Sequence, residues 1–333
     1  MVKQFRRPER DIFEERVPVG RDERENLAVY EHLRDEEMCA SERHFVRRLW
    51  RQFTALDLHD HGFVKRFPFD CPSRIWEMYL AWVFHLWGWK LTPSKTRGVG
   101  PDFGVRGFGP IEDSVMWVEA IAPTRGEDAN TIGFHPAGPG GIQMAMGGEL
   151  RRTQSLRLAS SMEAKIAKHA EWLQKGRVAA DDGYVIAISG SRWDNTANML
   201  DAVGEPPVVV RYLFGFGSST FSVELGGERR VTSGPFRPAP RIQKHTESGG
   251  DVEIDAGPFA TGECPQVSAV FFCPNHVKNR PTRVGSDLIV VHNPHAKIPF
   301  PRGRLRRGQE WWAEASRDGM SLQYHRYGPS DEG

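Results

Sequence analysis

The sequence predicts an α/β protein whose mixed central sheet is flanked by helices on both faces. Three observations carry that prediction. Residues 73–88 read SRIWEMYLAWVFHLWG, with bulky apolar side chains almost all round a helix, which is the pattern of a buried helix. Residues 115–122 (VMWVEAIA) and 184–189 (YVIAIS) are apolar on both sides of a strand, so both of their faces are covered. A long helical segment, about 153–175, separates these two strands, and a strand–helix–strand order builds a sheet with parallel neighbours.

The elements follow in order. Residues 1–20 are charged and contain proline, and read as a loose arm. From 21 to 56, Leu27, Tyr30, Leu33, Met38, Phe45, Leu49 and Phe53 recur at helical intervals in a densely charged background, giving one or two amphipathic helices. Residues 63–72 form a connector with two prolines. Ser73 is placed to cap the buried helix and Gly88 to end it. Short strands follow near 89–91 and 102–105, then the strand 115–122. The Gly- and Pro-rich stretch 124–148 is long for a loop and therefore a candidate functional segment. The helix ending at Lys175-Gly176, the strand 184–189, an ordered segment from Val208, and strands at 267–273 and 287–292 complete the sheet. Residues 214–262 are rich in Gly, Ser and Pro and read as peripheral loops or a hairpin. The organisation is then an N-terminal arm and helical region over 1–70, followed by an α/β domain over 71–333.

Bulk properties narrow the function. The chain has 333 residues, 39% hydrophobic and 26% charged, an ordinary composition for a soluble protein. Its 44 basic and 43 acidic side chains give a net charge of +1, which excludes a histone-like binder but leaves room for a local basic cleft. Cys39, Cys71, Cys264 and Cys273 are scattered and suggest no disulfide framework, so a reducing cytoplasm is expected. The N-terminal stretch MVKQFRRPERD has no apolar core of a signal peptide, and the apolar run 75–91 is too short and too polar to span a bilayer, so no membrane association is expected. Cys264, Cys273, His276, His292 and His295 lack the two close pairs of a zinc site. No phosphate loop or nucleophile triad is legible.

Chemistry gathers around three carboxylates. Glu119 stands in the middle of a doubly apolar strand, and a buried carboxylate is costly unless it is paired or binds a metal. Asp102 lies upstream behind Pro101, far enough for a strand to turn and return beside Glu119. Glu77 lies inside the buried helix. Two such oxygens, completed by water and a substrate phosphate, suit Mg²⁺ or Mn²⁺.

The pattern E…PD…ExA after a helix resembles the PD-(D/E)xK nuclease superfamily over residues 73–189. The segment 157–165 (RLASSMEAK), with Trp172 and Lys175-Gly176, and HNPHAKIPFP at 292–301, are similar to an uncharacterised bacterial group within it. The resemblance implies a restriction-endonuclease-like αβββαβ core, Mg²⁺-dependent cleavage of DNA, Asp102 and Glu119 as metal ligands, and a supporting role for Glu77. It also implies a lysine two residues after the Glu, and here position 121 is Ile. Either the activity is lost or the cation comes from elsewhere. Lys165 is the leading replacement, expected nearer the carboxylates than Lys168, which shares its helix face. Arg157 and Lys168 are candidates for phosphate, as are Arg304, Arg306 and Arg307 in the run RGRLRR. The expected partner is nucleic acid, DNA before RNA, with a homodimer left open. The alternatives are an inactive nucleic-acid-binding or scaffold protein with the nuclease fold, or a different enzyme that matches the motif by chance.

Overall fold

A computed structural model describes residues 11–14, 24–60, 62–94, 100–108, 114–126, 130–132, 148–193, 206–223, 231–246, 249–316 and 319–327. Most of the expected N-terminal arm and of the stretch 124–148 lies outside these residues. Helix α1 (Arg24–Asp35), a 3₁₀ turn and α2 (Ala40–Ala55) fill the amphipathic region, and α3 (Phe63–Arg66) occupies the connector. Then come α4 (Cys71–Leu86), β1 (Lys90–Pro93), β2 (Phe103–Arg106), β3 (Val115–Ile121), α5 (Gly148–Gln174) and β4 (Gly183–Ser189). The chain continues through α6 (Val208–Phe214), β5 (Phe216–Val223), β6 (Val231–Pro238), β7 (Arg241–His245), β8 (Asp251–Asp255) and α7 (Pro258–Thr261). It ends with β9 (Ala269–Cys273), β10 (Ile289–His292), β11 (Gly308–Ser316) and β12 (Gly319–Tyr327).

Eight strands form one mixed sheet in the order β1-β2-β3-β4-β9-β10-β11-β12. The first three run antiparallel, β3, β4 and β9 run parallel, and β10 reverses direction. The remaining strands make two separate hairpins, β5–β6 and β7–β8, outside the large sheet, within the region read as peripheral. Apolar clusters cover both faces. One joins Met116, Val118 and Ala120 of β3 to α4, with Tyr30 of α1 and Phe53 of α2 in the same cluster. The other joins Val115 and Trp117 to Leu158 and Met162 of α5 and to α6. Alternation along β3 therefore turns Glu119 towards α5.

Helix α4 starts at Cys71 with Pro72 in its first turn, where a missing N–H costs nothing. Ser73 does not cap it. The Ser73 hydroxyl instead accepts from the Ala122 amide at 3.2 Å, holding the end of β3 against the helix. Gly88, at φ +81°, ends the helical region. Trp76 Nε1 donates to the Ala187 carbonyl at 2.9 Å, fixing α4 across β4.

The ordered segment expected from Val208 is a helix, in which the apolar side chains of α6 are buried on every side and tertiary packing overrides the β-branched preference. Other expectations change. Met38 falls in the 3₁₀ turn and is 77% exposed, off the apolar face it was read into. α5 begins a turn earlier than expected. The hairpin β11–β12 was not anticipated at all. All four cysteines are free and buried, and among the described residues no helix is long and apolar enough to cross a membrane.

Candidate active site

Antiparallel register brings the two strand carboxylates together. Phe103 pairs with Val118, so the next step of the ladder sets Asp102 opposite Glu119 at the end of the sheet. Asp102 is pinned there from both sides. Its amide donates to the Val118 carbonyl at 3.1 Å, and its Oδ2 accepts from the Ala120 amide at 2.7 Å. Glu119 is 4% exposed. Lys165 comes from the middle of α5, itself 7% exposed, and its Nζ donates to Glu119 Oε1 at 2.6 Å. Lys168, one turn on, lies 3.5 Å from the same oxygen and is more than half exposed. The other carboxylate oxygen, Glu119 Oε2, is buried and has no hydrogen-bond partner among the described residues.

These groups line a cleft of about 470 Å³ between α4, the ends of β2 and β3, and α5. Helix α5 presents Ser160, Ser161 and Ala164 to it, and those small side chains leave the space open. Glu77 enters from α4, paired with Arg74 at 2.8 Å. Asp70, Glu77, Asp102 and Glu119 are offset by Arg74, Arg157, Lys165, Lys168 and Arg192, so described cations outnumber carboxylates along the walls.

Burial dominates the electrostatics. It raises the Glu119 carboxyl to about 7, with the Asp102 charge adding to it and Lys165 opposing. Burial also raises Asp102, against the pull of Lys165 and Arg74. Glu77 is raised well above the ordinary carboxylate range by burial and by Asp102, against Arg74. For Lys165, burial works against the ammonium, but Glu119 and Asp102 together hold its pKa above that of an ordinary lysine. Crowded, desolvated carboxylates of this kind gain from any cation that joins them.

The donors fit a hard divalent cation. Asp102 and Glu119 offer oxygens, one of them an unsatisfied buried atom. Among the described residues no three His, Cys, Asp or Glu side chains group into a complete metal cage, so water and substrate would finish the shell.

Sequence reasoning placed Glu77, Asp102, Glu119, Lys165, Arg157 and Lys168, and all six line this cleft. Arg304, Arg306 and Arg307 do not. The run leads into β11, which pairs in parallel with β10 and lies four strands across the sheet from β3. Arg304 sits over Phe108 at 5.5 Å, Arg306 lies beside Gly88, and Arg307 donates to the Val284 carbonyl at 3.3 Å. Sequence reasoning passed over Arg74, although an arginine three residues before a buried helical Glu is a legible pair. It also passed over Ser73 and Asp70, and over Arg192, which has no local signal. No family model matches the chain, and neither a curated protein nor a solved structure matches it.

Proposed function

We propose that the protein is a divalent-cation-dependent phosphodiesterase acting on nucleic acid, DNA before RNA, with a restriction-endonuclease-like core. The observation that carries the reading is the buried Lys165–Glu119 pair at 2.6 Å opposite Asp102. It supplies the carboxylates and the cation in one cleft although Ile121 stands where the superfamily's lysine is expected. The element order α4–β1–β2–β3–α5–β4, with an antiparallel meander and a parallel return, supports the αβββαβ reading.

Asp102 and Glu119 would hold Mg²⁺ or Mn²⁺, which when bound neutralises phosphoryl oxygens and acidifies a water. Lys165 carries three N–H donors, one of them on Glu119 Oε1, and directs the others at water and at a non-bridging phosphate oxygen. Arg157 and Lys168, on the same helix, clamp the phosphate, and Arg74 fixes the Glu77 carboxylate. Water adds to phosphorus and gives up a proton to solvent, the bond to the departing sugar oxygen breaks, and that oxygen leaves with a proton from solvent.

The test is incubation of purified protein with plasmid and single-stranded DNA and with RNA, in Mg²⁺, Mn²⁺ or EDTA. Cleavage with metal, its absence in EDTA, and its loss in Glu119→Gln and Lys165→Met are expected. Binding without cleavage would favour the inactive nucleic-acid-binding alternative. The absence of both cleavage and divalent-ion binding, the latter measured by calorimetry, would refute the proposal.

A further inference from the structure

A second cavity, about 520 Å³, lies on the other side of α4, within the ~300–1,000 Å³ range of clefts that enclose small ligands. The first turns of α4 are the partition. Ser73, Arg74 and Glu77 line the polar cleft, while Ile75, Trp76 and Tyr79 line this apolar one. Arg192 lines both.

Its aromatic wall is fixed in place and mostly enclosed, with Trp76 3% and Tyr79 6% exposed, while Phe45, Val29 and Val277 supply the more open apolar surface. The Trp76 and Tyr79 rings stack at 6.0 Å and 23°. Trp76 is tied to the Ala187 carbonyl, and the Tyr79 hydroxyl donates to Asp287 at 2.6 Å and accepts from the Gly285 amide at 2.9 Å. The Ser191 hydroxyl oxygen, also in the lining, is buried and has no hydrogen-bond partner among the described residues. Asn275 is also in the lining, its amide donating to Asp287 and accepting from Asn279, and Lys278 and Arg280 bring positive charge against the one carboxylate of Asp287 among the described lining residues.

A rigid aromatic surface, a few polar groups for a ring edge and nearby cations for flanking phosphates are what an unstacked nucleobase requires. Arg192 is the one described side chain common to both cavities, so a nucleotide with its phosphate in the polar cleft would have to pass it to place its base here. We propose that the cavity takes an unpaired nucleobase of the strand held in the neighbouring cleft, which makes single-stranded or locally unpaired nucleic acid the substrate class. This rests on the phosphodiesterase reading above.

The test uses binding in EDTA, so that hydrolysis does not interfere. Short single strands are compared with their duplexes and with strands carrying one abasic nucleotide, scanned along the sequence. The single strand should bind more tightly than the duplex, and an abasic residue at one position should weaken binding about fivefold or more, the loss of one stacked base. Ala28 is exposed at the pocket and Val277 half-buried at the margin of the first core cluster, so Ala28→Trp fills the pocket from the surface and Val277→Trp from its inner side. Both should bind the ordinary strand as weakly as the native protein binds the abasic one, with unchanged melting temperature. Native-like binding by both variants, or indifference to every abasic position, overturns the pocket. If the protein still cleaves DNA with Mg²⁺, the phosphodiesterase reading survives that result. If no nucleic acid is bound or cut under any condition, that reading fails and the pocket with it.

Discussion

Replacing Lys165 by Met strands Glu119 in a buried site, and the cost of doing so depends on pH in a way the geometry fixes. The pair is almost fully enclosed, with 9% and 5% of the two side chains exposed. Removing one partner of such a pair typically destabilises by about 3–5 kcal/mol, because an uncompensated charge remains. Glu119 can escape that charge by taking a proton. Its carboxyl stands at about 7 with Lys165 present, and Lys165 is among the groups that lower it, so in the variant it stands higher. A carboxyl whose folded pKa is raised contributes stability that is fully present below its unfolded value and lost as pH rises through the folded one. At pH 5.5 both proteins hold Glu119 protonated, and the variant loses one hydrogen bond from the Lys165 ammonium to a neutral carboxyl, about 1.5 kcal/mol. Above pH 7 the native carboxylate ionises against its lysine, while the variant must keep binding a proton. The difference then grows by up to about 1.4 kcal/mol per pH unit, reaching about 3.5 kcal/mol at pH 8.5. Urea unfolding of both proteins at pH 5.5, 7.0 and 8.5 measures this, and adding Glu119→Gln to the variant should flatten the pH dependence. A destabilisation that is equal at all three pH values would refute the account of the pair.

Ile121 lines the same cleft, so Ile121→Lys in the Lys165→Met background should recover part of the lost cleavage, measured as single-turnover rate, whereas Ile121→Met should recover none. Glu310 is buried and accepts from His292 at 2.8 Å, from the Tyr327 hydroxyl and from the Gly303 amide; burial raises its carboxyl, but these partners together hold it below the ordinary range. The stability it contributes is therefore present above the unfolded carboxyl pKa and lost as pH falls through the folded one, and Glu310→Gln should cost about 2 kcal/mol at pH 7 and progressively less in acid, by urea unfolding. The triple change of Arg304, Arg306 and Arg307 to Ala should leave cleavage of a short oligonucleotide within about twofold and its salt slope unchanged, since these residues lie outside the cleft, before a strand four places across the sheet from β3; a slope lowered by one or more would place nucleic acid along that surface.

Much of this arrangement was legible because it is local or periodic. The all-round apolar helix containing Glu77, the doubly apolar strand around Glu119, and the return distance from Asp102 follow from side-chain alternation and turn spacing. Lys165 could be proposed because a crossover helix packs on the sheet and a lysine stem reaches inward along apolar surface. Arg192 was not legible, since it reaches the cleft from a turn after β4 and only tertiary placement brings it there. The hairpin β11–β12 escaped because Trp311-Trp312-Ala313 breaks the alternation of β11, next to an arginine run that draws attention to charge. Strand order misled the reading of that run: the sign and number of its charges are in the sequence, but the placement of β11 four strands away from β3 is not.

The parallel pairing of β4 with β9 also sets an order of events at the ribosome. β4 ends at Ser189 and β9 begins at Ala269, so 80 residues of synthesis separate the two partners. At roughly 5–20 residues per second, that is about 4–16 s during which β4 has β3 on one side and an open edge on the other. All seven residues of β4 are buried in the finished sheet, and they include no charge that could discourage pairing with another chain. Nascent chains therefore pass through a stage with an apolar strand edge exposed, and yield should fall with expression temperature and recover with a co-expressed chaperone that covers such edges.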